Sequence, residues 1–277
     1  MNIKLIALDL DGTTLKNDHM TISDRTKQAL EAAIAEGILV VPATGRNDAL
    51  LPRAIMDIPG IRYAITSNGA VTYDIKEQRV LHSGYLSADI ARKVLSLIPR
   101  DEILVEIFRK GRLLVERRFT QALQEYPIHF MDMEILNRLF QEVEDLSEFT
   151  RDQGDGIEKI NIPFVPPKWR EPLWERFSKL PSIALTSSVK HNMEINQADT
   201  SKGVALERFC ENLHIPPENV MAFGDNGNDV EMLQYAGLSF AMGNGTDAAK
   251  KAAKFVALAS DEDGVAQAIE KYALGIS

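Results

Sequence analysis

Apolar positions along this chain follow two rhythms. Residues 3–8, 38–42 and 62–66 are short apolar runs of the kind that form buried strands. Between the first two, Ala29, Leu30, Ala33 and Ile34 recur at helical spacing, with Ser23 as N-cap and Gly37 as terminator. Residues 47–57 predict another helix, with Pro52 in its early part. Strand–helix–strand order implies right-handed crossovers and a parallel sheet. The same rhythm returns after residue 200. Ser201 caps a helix with Leu206, Phe209, Cys210 and Leu213 on one face. A strand at 219–223, a short helix at 228–236 stopped by Gly237 and a strand at 238–241 follow. A helix–strand pair then runs to about 257, and 264–273 predicts a terminal helix.

The middle does not alternate. Residues 103–108 and 112–117 predict a hairpin around Lys110-Gly111. Further strands are expected at 156–162, 182–187 and 191–195, with helices at 87–98, 133–144 and 168–180. Trp169, Leu173, Phe177 and Leu180 form the apolar stripe of the last helix. Strands and helices without strict alternation indicate an α+β domain. The chain therefore divides into an α/β core (1–84 and 189–277) and an inserted mixed α/β domain (85–188).

Composition narrows the function. The 277 residues are 45% hydrophobic and 26% charged, ordinary values for a globular protein. A net charge of -9 argues against a nucleic-acid partner, because phosphate backbones require a basic face. It leaves phosphorylated small molecules open, since a bound metal can reverse the local field. No apolar segment approaches the roughly 20 residues that span a bilayer, so no membrane partner is expected. Cys210 is the single cysteine, which fits a reducing, cytoplasmic setting. A monomer or small homo-oligomer is expected.

Polar clusters follow the apolar runs, and ligands of open α/β sheets bind outside the carboxyl ends of the strands. Leu8-Asp9-Leu10-Asp11-Gly12-Thr13-Thr14 puts two carboxylates on one face of a strand end. Such a pair can hold a hard cation such as Mg²⁺ or divide into nucleophile and proton donor; it can also be a solvated Asp-Gly turn. Ala43-Thr44-Gly45-Arg46 offers a hydroxyl and a glycine backbone to an anion. Thr66-Ser67-Asn68-Gly69 reads as a tight turn. Lys202 sits at a helix start, where the dipole disfavours a cation unless an anion lies nearby. Phe223-Gly224-Asp225-Asn226-Gly227-Asn228-Asp229 adds two carboxylates, Asp225 placed for direct ligation and Asp229 one helical turn on, for a supporting role. The five histidines (19, 82, 129, 191, 214) lack metal-ligand spacing, which argues against zinc.

In this order, the clusters resemble the four signature motifs of the haloacid dehalogenase superfamily: Asp9-Leu10-Asp11-Gly12-Thr13, Thr44, Lys202, and Gly224-Asp225 with Asp229. The insert after Asn68-Gly69 and the tail Asp263-Gly264-Val265-Ala266 are similar to the Cof-type, subfamily IIB sugar-phosphatase branch. The resemblance implies a Rossmann-like core with an α/β cap and a Mg²⁺-dependent phosphatase of small phosphorylated metabolites. It implies Asp9 as nucleophile and Asp11 as acid/base. Metal would be held by Asp9, the Asp11 carbonyl and Asp225. Phosphate would be bound by Leu10 and Gly45 amides, Thr44, Lys202 and Asn228, with Asp229 steadying the metal waters or Lys202. A raised pKa would help Asp11 donate its proton.

The same motifs would serve a phosphotransferase or mutase, and acidic residues with Thr and Lys around Mg²⁺ also occur in receiver-type phosphoacceptor modules. The large insert and a phosphoacceptor on the first strand count against the latter. Arg109, Lys159, Lys190 and Asn192 are the polar candidates of the insert, with surface exposure as the competing expectation.

Overall fold

The computed structural model describes residues 2–120, 139–188 and 191–276. Two compact units emerge, Met1–His82 with Ser201–Ser277, and Ser83–Thr200. Along the chain run β1 (Leu5–Leu8), α1 (Asp24–Ala35), β2 (Leu39–Pro42), α2 (Arg53–Met56), β3 (Tyr63–Thr66), β4 (Val71–Asp74), β5 (Arg79–Ser83) and α3 (Ala88–Leu97). Next come β6 (Glu106–Arg109), β7 (Arg112–Glu116), β8 (Phe140–Val143), α4 (Leu146–Gln153), β9 (Ile157–Ile162), α5 (Pro167–Ser178), β10 (Ile183–Thr186) and β11 (Met193–Gln197). The chain closes with α6 (Lys202–Asn212), β12 (Val220–Gly224), α7 (Val230–Tyr235), β13 (Leu238–Ala241), α8 (Asp247–Ala252), β14 (Phe255–Val256) and α9 (Gly264–Ala268).

The first unit is built on a parallel sheet of order β14-β13-β12-β1-β2. Alternation along β1 explains why its run is wholly apolar. Ile6 and Leu8 enter a core with Ala29, Leu30 and Ala33 of α1 and Val265 and Ala266 of α9. Leu5 and Ala7 enter a second core with Leu206 and Phe209 of α6 and Met232 and Leu233 of α7. A strand buried on both faces needs hydrophobic residues at every position. Ser23 caps α1 by accepting from the Thr26 amide, as its position predicts. Beyond the sheet, β3 meets the segment after β2 through a parallel bridge, Ala43 to Ile65, and pairs antiparallel with β4.

The second unit carries a six-stranded mixed sheet of order β10-β11-β9-β6-β7-β8. Its hairpin turns at Lys110 and Gly111, both at positive φ (47° and 72°), between the paired Arg109 and Arg112. That is the two-residue geometry whose twist matches the flanking strands. The apolar face packs Ile107, Leu114, Ile160 and Ile195 against Val94 of α3, Leu146 of α4, and Leu173 and Phe177 of α5. Trp169 and Leu180 border this core, completing the expected stripe.

Four expectations shift. β11 pairs antiparallel with β9 and β10, so the stretch up to Thr200 goes with the insert's sheet rather than the core. The expected helix at 47–57 is two pieces, a 3₁₀ turn at Asp48–Leu50 and the short α2. Pro52, which lacks an amide hydrogen, stands at the break. Of the expected helix 133–144, residues 133–138 lie outside the described residues, and Phe140–Val143 is a strand paired parallel with β7. The terminal helix is α9 followed by a wider turn at Ile269–Ala273.

Candidate active site

Parallel pairing brings three strand ends together, because Leu8 is in register with both Phe223 and Pro42. Asp9, Thr44 and Asp225 therefore leave one edge of the sheet side by side. After Asp9 the chain turns through Leu10–Thr14, with Gly12 at φ +78°. A Cβ on Gly12 would stand 2.6 Å from Oδ2 of Asp225, so this position requires glycine for both its conformation and its neighbour. The Thr14 hydroxyl donates to the Asp9 carbonyl (2.6 Å) and the Thr13 hydroxyl to Asp225 Oδ1 (2.9 Å). Thr14 thus ties the loop to the backbone of Asp9, and Thr13 ties it to the Asp225 carboxylate.

Lys202 is wholly buried and bridges two acids. Its Nζ donates to Asp9 Oδ1 (2.5 Å) and Asp229 Oδ1 (2.7 Å). This answers the puzzle of a lysine at a helix start: the anions are Asp9 and Asp229, and Ser201 caps the helix by accepting from the Val204 amide. Gly69 makes the approach possible, since a Cβ there would fall 2.1 Å from the Ser201 carbonyl. Asp229 spends its other oxygen on the amides of Asp225 and Asn226, both at 2.9 Å. It is a positioning residue that orients Lys202 and the Asp225 loop. Asn228 donates to the Asn68 side chain (3.0 Å), so the Asn68 turn also supports this edge.

Burial and the neighbouring Asp229, Asp225 and Asp11 push the Asp9 carboxyl well above its usual range, although Lys202 opposes them. Burial and Asp229 likewise push Asp225 up to about 6. Burial alone would lower Lys202, but Asp229 and Asp9 outweigh it and hold the ammonium protonated. Oxygens of Asp9, Asp225 and Asp229 lie within 4.8 Å of one another. Crowded, buried carboxylates of this kind suit a hard divalent cation, which prefers oxygen donors. Both oxygens of Asp229 are engaged, by Lys202 and by two amides, whereas Asp9 and Asp225 each give one oxygen to a side-chain donor, Lys202 and Thr13.

Thr44 is buried, its amide donating to the Ile65 carbonyl (2.9 Å) and its hydroxyl accepting from the Arg46 amide (3.1 Å). Leu10 and Gly45 adjoin Asp9 and Thr44 in the chain. Asp11 departs from expectation. Arg46 grips its carboxylate with two hydrogen bonds, Nε to Oδ2 (2.8 Å) and Nη2 to Oδ1 (2.6 Å), and His19 Nδ1 meets Oδ1 at 2.8 Å. Burial alone would raise the Asp11 carboxyl, but the His19 and Arg46 hydrogen bonds outweigh it and hold it below the usual carboxylate range. The raised pKa expected for a proton donor is therefore absent in this conformation. The motifs give Arg46 no role, and His19 entered only as one of five histidines without metal-ligand spacing. Arg46 stood directly beside Thr44-Gly45, whereas nothing local marked His19.

In the insert, Arg109 pairs with the exposed Asp155, and Asn192 is buried and bonded to Ser187 and Ser188. Lys159 is buried in an ion pair with Glu194, not solvated. Lys190 lies outside the described residues.

A parallel α/β sheet with a lysine-bridged carboxylate cluster at its carboxyl edge defines a hydrolase of the haloacid dehalogenase type. The match to a model of haloacid dehalogenase-like hydrolases over residues 6–269 shows that the chain belongs to that family. It is similar to the phosphatase YwpJ of Bacillus subtilis, with 34% identity over 95% of this chain and 98% of that protein. It is also similar to the 5-amino-6-(5-phospho-D-ribitylamino)uracil phosphatase YcsE of the same organism, with 30% identity over 99% and 97% of the two chains. A haloacid dehalogenase-like hydrolase structure from B. subtilis matches with a TM-score of 0.84 and 30% identity, covering 98% of this chain and 100% of that one. A subclass IIB sugar phosphatase matches in fold, with a TM-score of 0.82 at 22% identity over 99% and 100%. The protein is a phosphatase. No helix among the described residues is long and apolar enough to cross a membrane.

Proposed function

We propose that this phosphatase hydrolyses small phosphorylated metabolites, sugar or polyol phosphates above all, through an aspartyl-phosphate on Asp9, with Mg²⁺ as cofactor, in the cytoplasm. The observation that carries the proposal is the Lys202 bridge: a buried ammonium bonded to a strand-end carboxylate that has a second carboxylate, Asp225, beside it. The substrate class draws support from the phosphorylated ribityl chain in the name of one relative's substrate.

Asp9 attacks phosphorus, and the bond from phosphorus to the ester oxygen breaks. Lys202 offsets the charge of Asp9 and the incoming phosphoryl group, two anions that would otherwise repel. Asp9 and Asp225, with the Asp11 carbonyl, would hold Mg²⁺, which supplies charge neutralisation for the transferring phosphoryl group. Thr44, Asn228 and the Leu10 and Gly45 amides bind phosphoryl oxygens. Asp11 gives a proton to the departing oxygen and then takes one from the water that opens the acyl phosphate. To do so it must leave the grip of Arg46.

The experiment is release of p-nitrophenol from p-nitrophenyl phosphate with and without Mg²⁺. Turnover is expected to need the metal and to fall by at least about a thousandfold in Asp9→Asn. Undiminished turnover in that variant would remove Asp9 as nucleophile. Product analysis with an added hydroxyl acceptor separates hydrolysis from transfer.

A further inference from the structure

The Thr66-Ser67-Asn68-Gly69 cluster has no task in the mechanism above, and its backbone is unusual. Ser67, Asn68 and Gly69 stand in succession at positive φ, 50°, 58° and 94°. Glycine takes such values freely, but a side chain makes them unfavourable, so they persist only where surrounding contacts impose them. Those contacts reach the segments proposed above to bind the phosphoryl group. The Ser67 amide donates to the Arg46 carbonyl (2.7 Å) and the Asn68 amide to the Thr44 carbonyl (3.0 Å). Gly69 lies against the Ser201 carbonyl, directly before Lys202, where a Cβ would fall 2.1 Å away. The Asn68 side chain reaches a third segment: its Oδ1 accepts from Asn228 Nδ2 at 3.0 Å, across 160 positions of sequence. Asn68 is 2% exposed and Asn228 8%, so the pair is shielded from water.

We propose that Asn68 is a positioning residue for phosphoryl binding, which aims the Asn228 amide at the phosphoryl oxygens; this rests on the function proposed above, with Asn228 as a phosphoryl ligand. A carboxamide nitrogen carries two N–H groups in one plane, so a bond that fixes one fixes the direction of the other. Asn68 takes one N–H of Asn228, and the second has no protein acceptor among the described residues. Asn228 stands between Asp225, proposed for the metal, and Asp229, which accepts from Lys202. An anionic phosphoryl oxygen at this edge is the acceptor that a preoriented N–H suits. Without Asn68, the Asn228 side chain must be ordered when the phosphoryl group arrives, and that cost weakens binding. The cost falls on ground state and transition state alike, so it raises KM and leaves kcat near its value. A turn with a purely structural task needs the left-handed backbone alone, and glycine would supply it.

The test compares two variants of the full chain. Asn68→Gly keeps the backbone conformation and removes the acceptor, whereas Asn68→Ala removes the acceptor and adds strain, since φ is 58°. Kinetics with p-nitrophenyl phosphate and calorimetric binding of inorganic phosphate, both with Mg²⁺, read the effect. Both variants are expected to raise KM and weaken phosphate binding by between about twofold and about tenfold, with kcat within about twofold of wild type. Asn68→Ala should lower Tm more than Asn68→Gly does. Asn228→Ala is expected to weaken phosphate binding at least about tenfold, and adding Asn68→Gly to it should change nothing further. If one Asn68 variant fails to fold by circular dichroism, the other carries the double-mutant cycle. Unchanged KM and phosphate affinity in Asn68→Gly, effects confined to Asn68→Ala, or a loss that multiplies with that of Asn228→Ala would each overturn the proposal and leave the phosphatase function standing. Asn228→Ala with wild-type phosphate affinity would overturn it by removing Asn228 as a ligand. A wild-type protein that neither binds phosphate nor releases p-nitrophenol would overturn the function proposed above, and the role of Asn68 with it.

Discussion

Replacing Lys202 with methionine keeps an apolar side chain of similar length and removes the ammonium. In the protein that ammonium is wholly buried and holds Asp9 at 2.5 Å and Asp229 at 2.7 Å. Its loss leaves two buried carboxylates without their cation. Breaking one buried pair by removing a partner costs about 3–5 kcal/mol. Against a total stability on the order of 5–15 kcal/mol, Lys202→Met should be close to the limit of folding. The loss should also depend on pH. Asp9 already sits above the usual carboxylate range, and without Lys202 it rises further. A carboxyl raised in the folded state adds stability below its unfolded pKa, and that stability is lost as pH rises through the folded pKa. The deficit relative to wild type should therefore be larger at about pH 8 than at about pH 5.5. Urea unfolding of metal-free protein at the two pH values measures this. A deficit under about 1 kcal/mol at the higher pH, or one equal at both, would refute the account of Lys202 as the buried counter-ion.

Metal and protons should compete. Asp225, pushed up to about 6, destabilises the metal-free fold as pH rises through that value, so Mg²⁺ should raise Tm more at about pH 7.5 than at about pH 5. Equal increments would separate Asp225 from the metal. Gly12→Ala places a Cβ 2.6 Å from Asp225 Oδ2 at φ +78°, and should cost more than about 1 kcal/mol in chemical denaturation. Arg46→Gln removes the two-bond grip on Asp11, so its carboxyl pKa should rise; carboxyl-carbon NMR titration reads this, and an unmoved value would leave His19 as the group that holds it down.

Much of the core was legible because its signals are local. Apolar runs of β1, β2 and β12 each end in a polar cluster, and parallel order puts those ends on one edge. Asp9, Thr44 and Asp225 stand in those clusters, and Lys202, at a helix start, joined them through the resemblance to the family's motifs. Elements whose identity depends on partners were harder. Phe140–Val143 is a strand because β7 offers an edge, and its composition alone does not oppose a helix. β11 follows the insert's sheet because β9 and β10 pair with it, a long-range choice that a boundary drawn from rhythm missed.

The sequence by itself determined the parallel core and the existence of an insert, since these follow from periodicity and capping, and its resemblance to the family's motifs singled out the acids and lysine proposed for the site. Only the tertiary structure decided how the charges are spent. It gave Lys202 to both Asp9 and Asp229, and closed Arg46 and His19 on Asp11. It also buried Lys159 against Glu194 and left Asn161 Oδ1 without a partner. The physical reason is range. Backbone preference acts over a few residues, whereas the strength of a charge or hydrogen bond depends on burial and on partners that in these cases lie from 8 to 193 positions away.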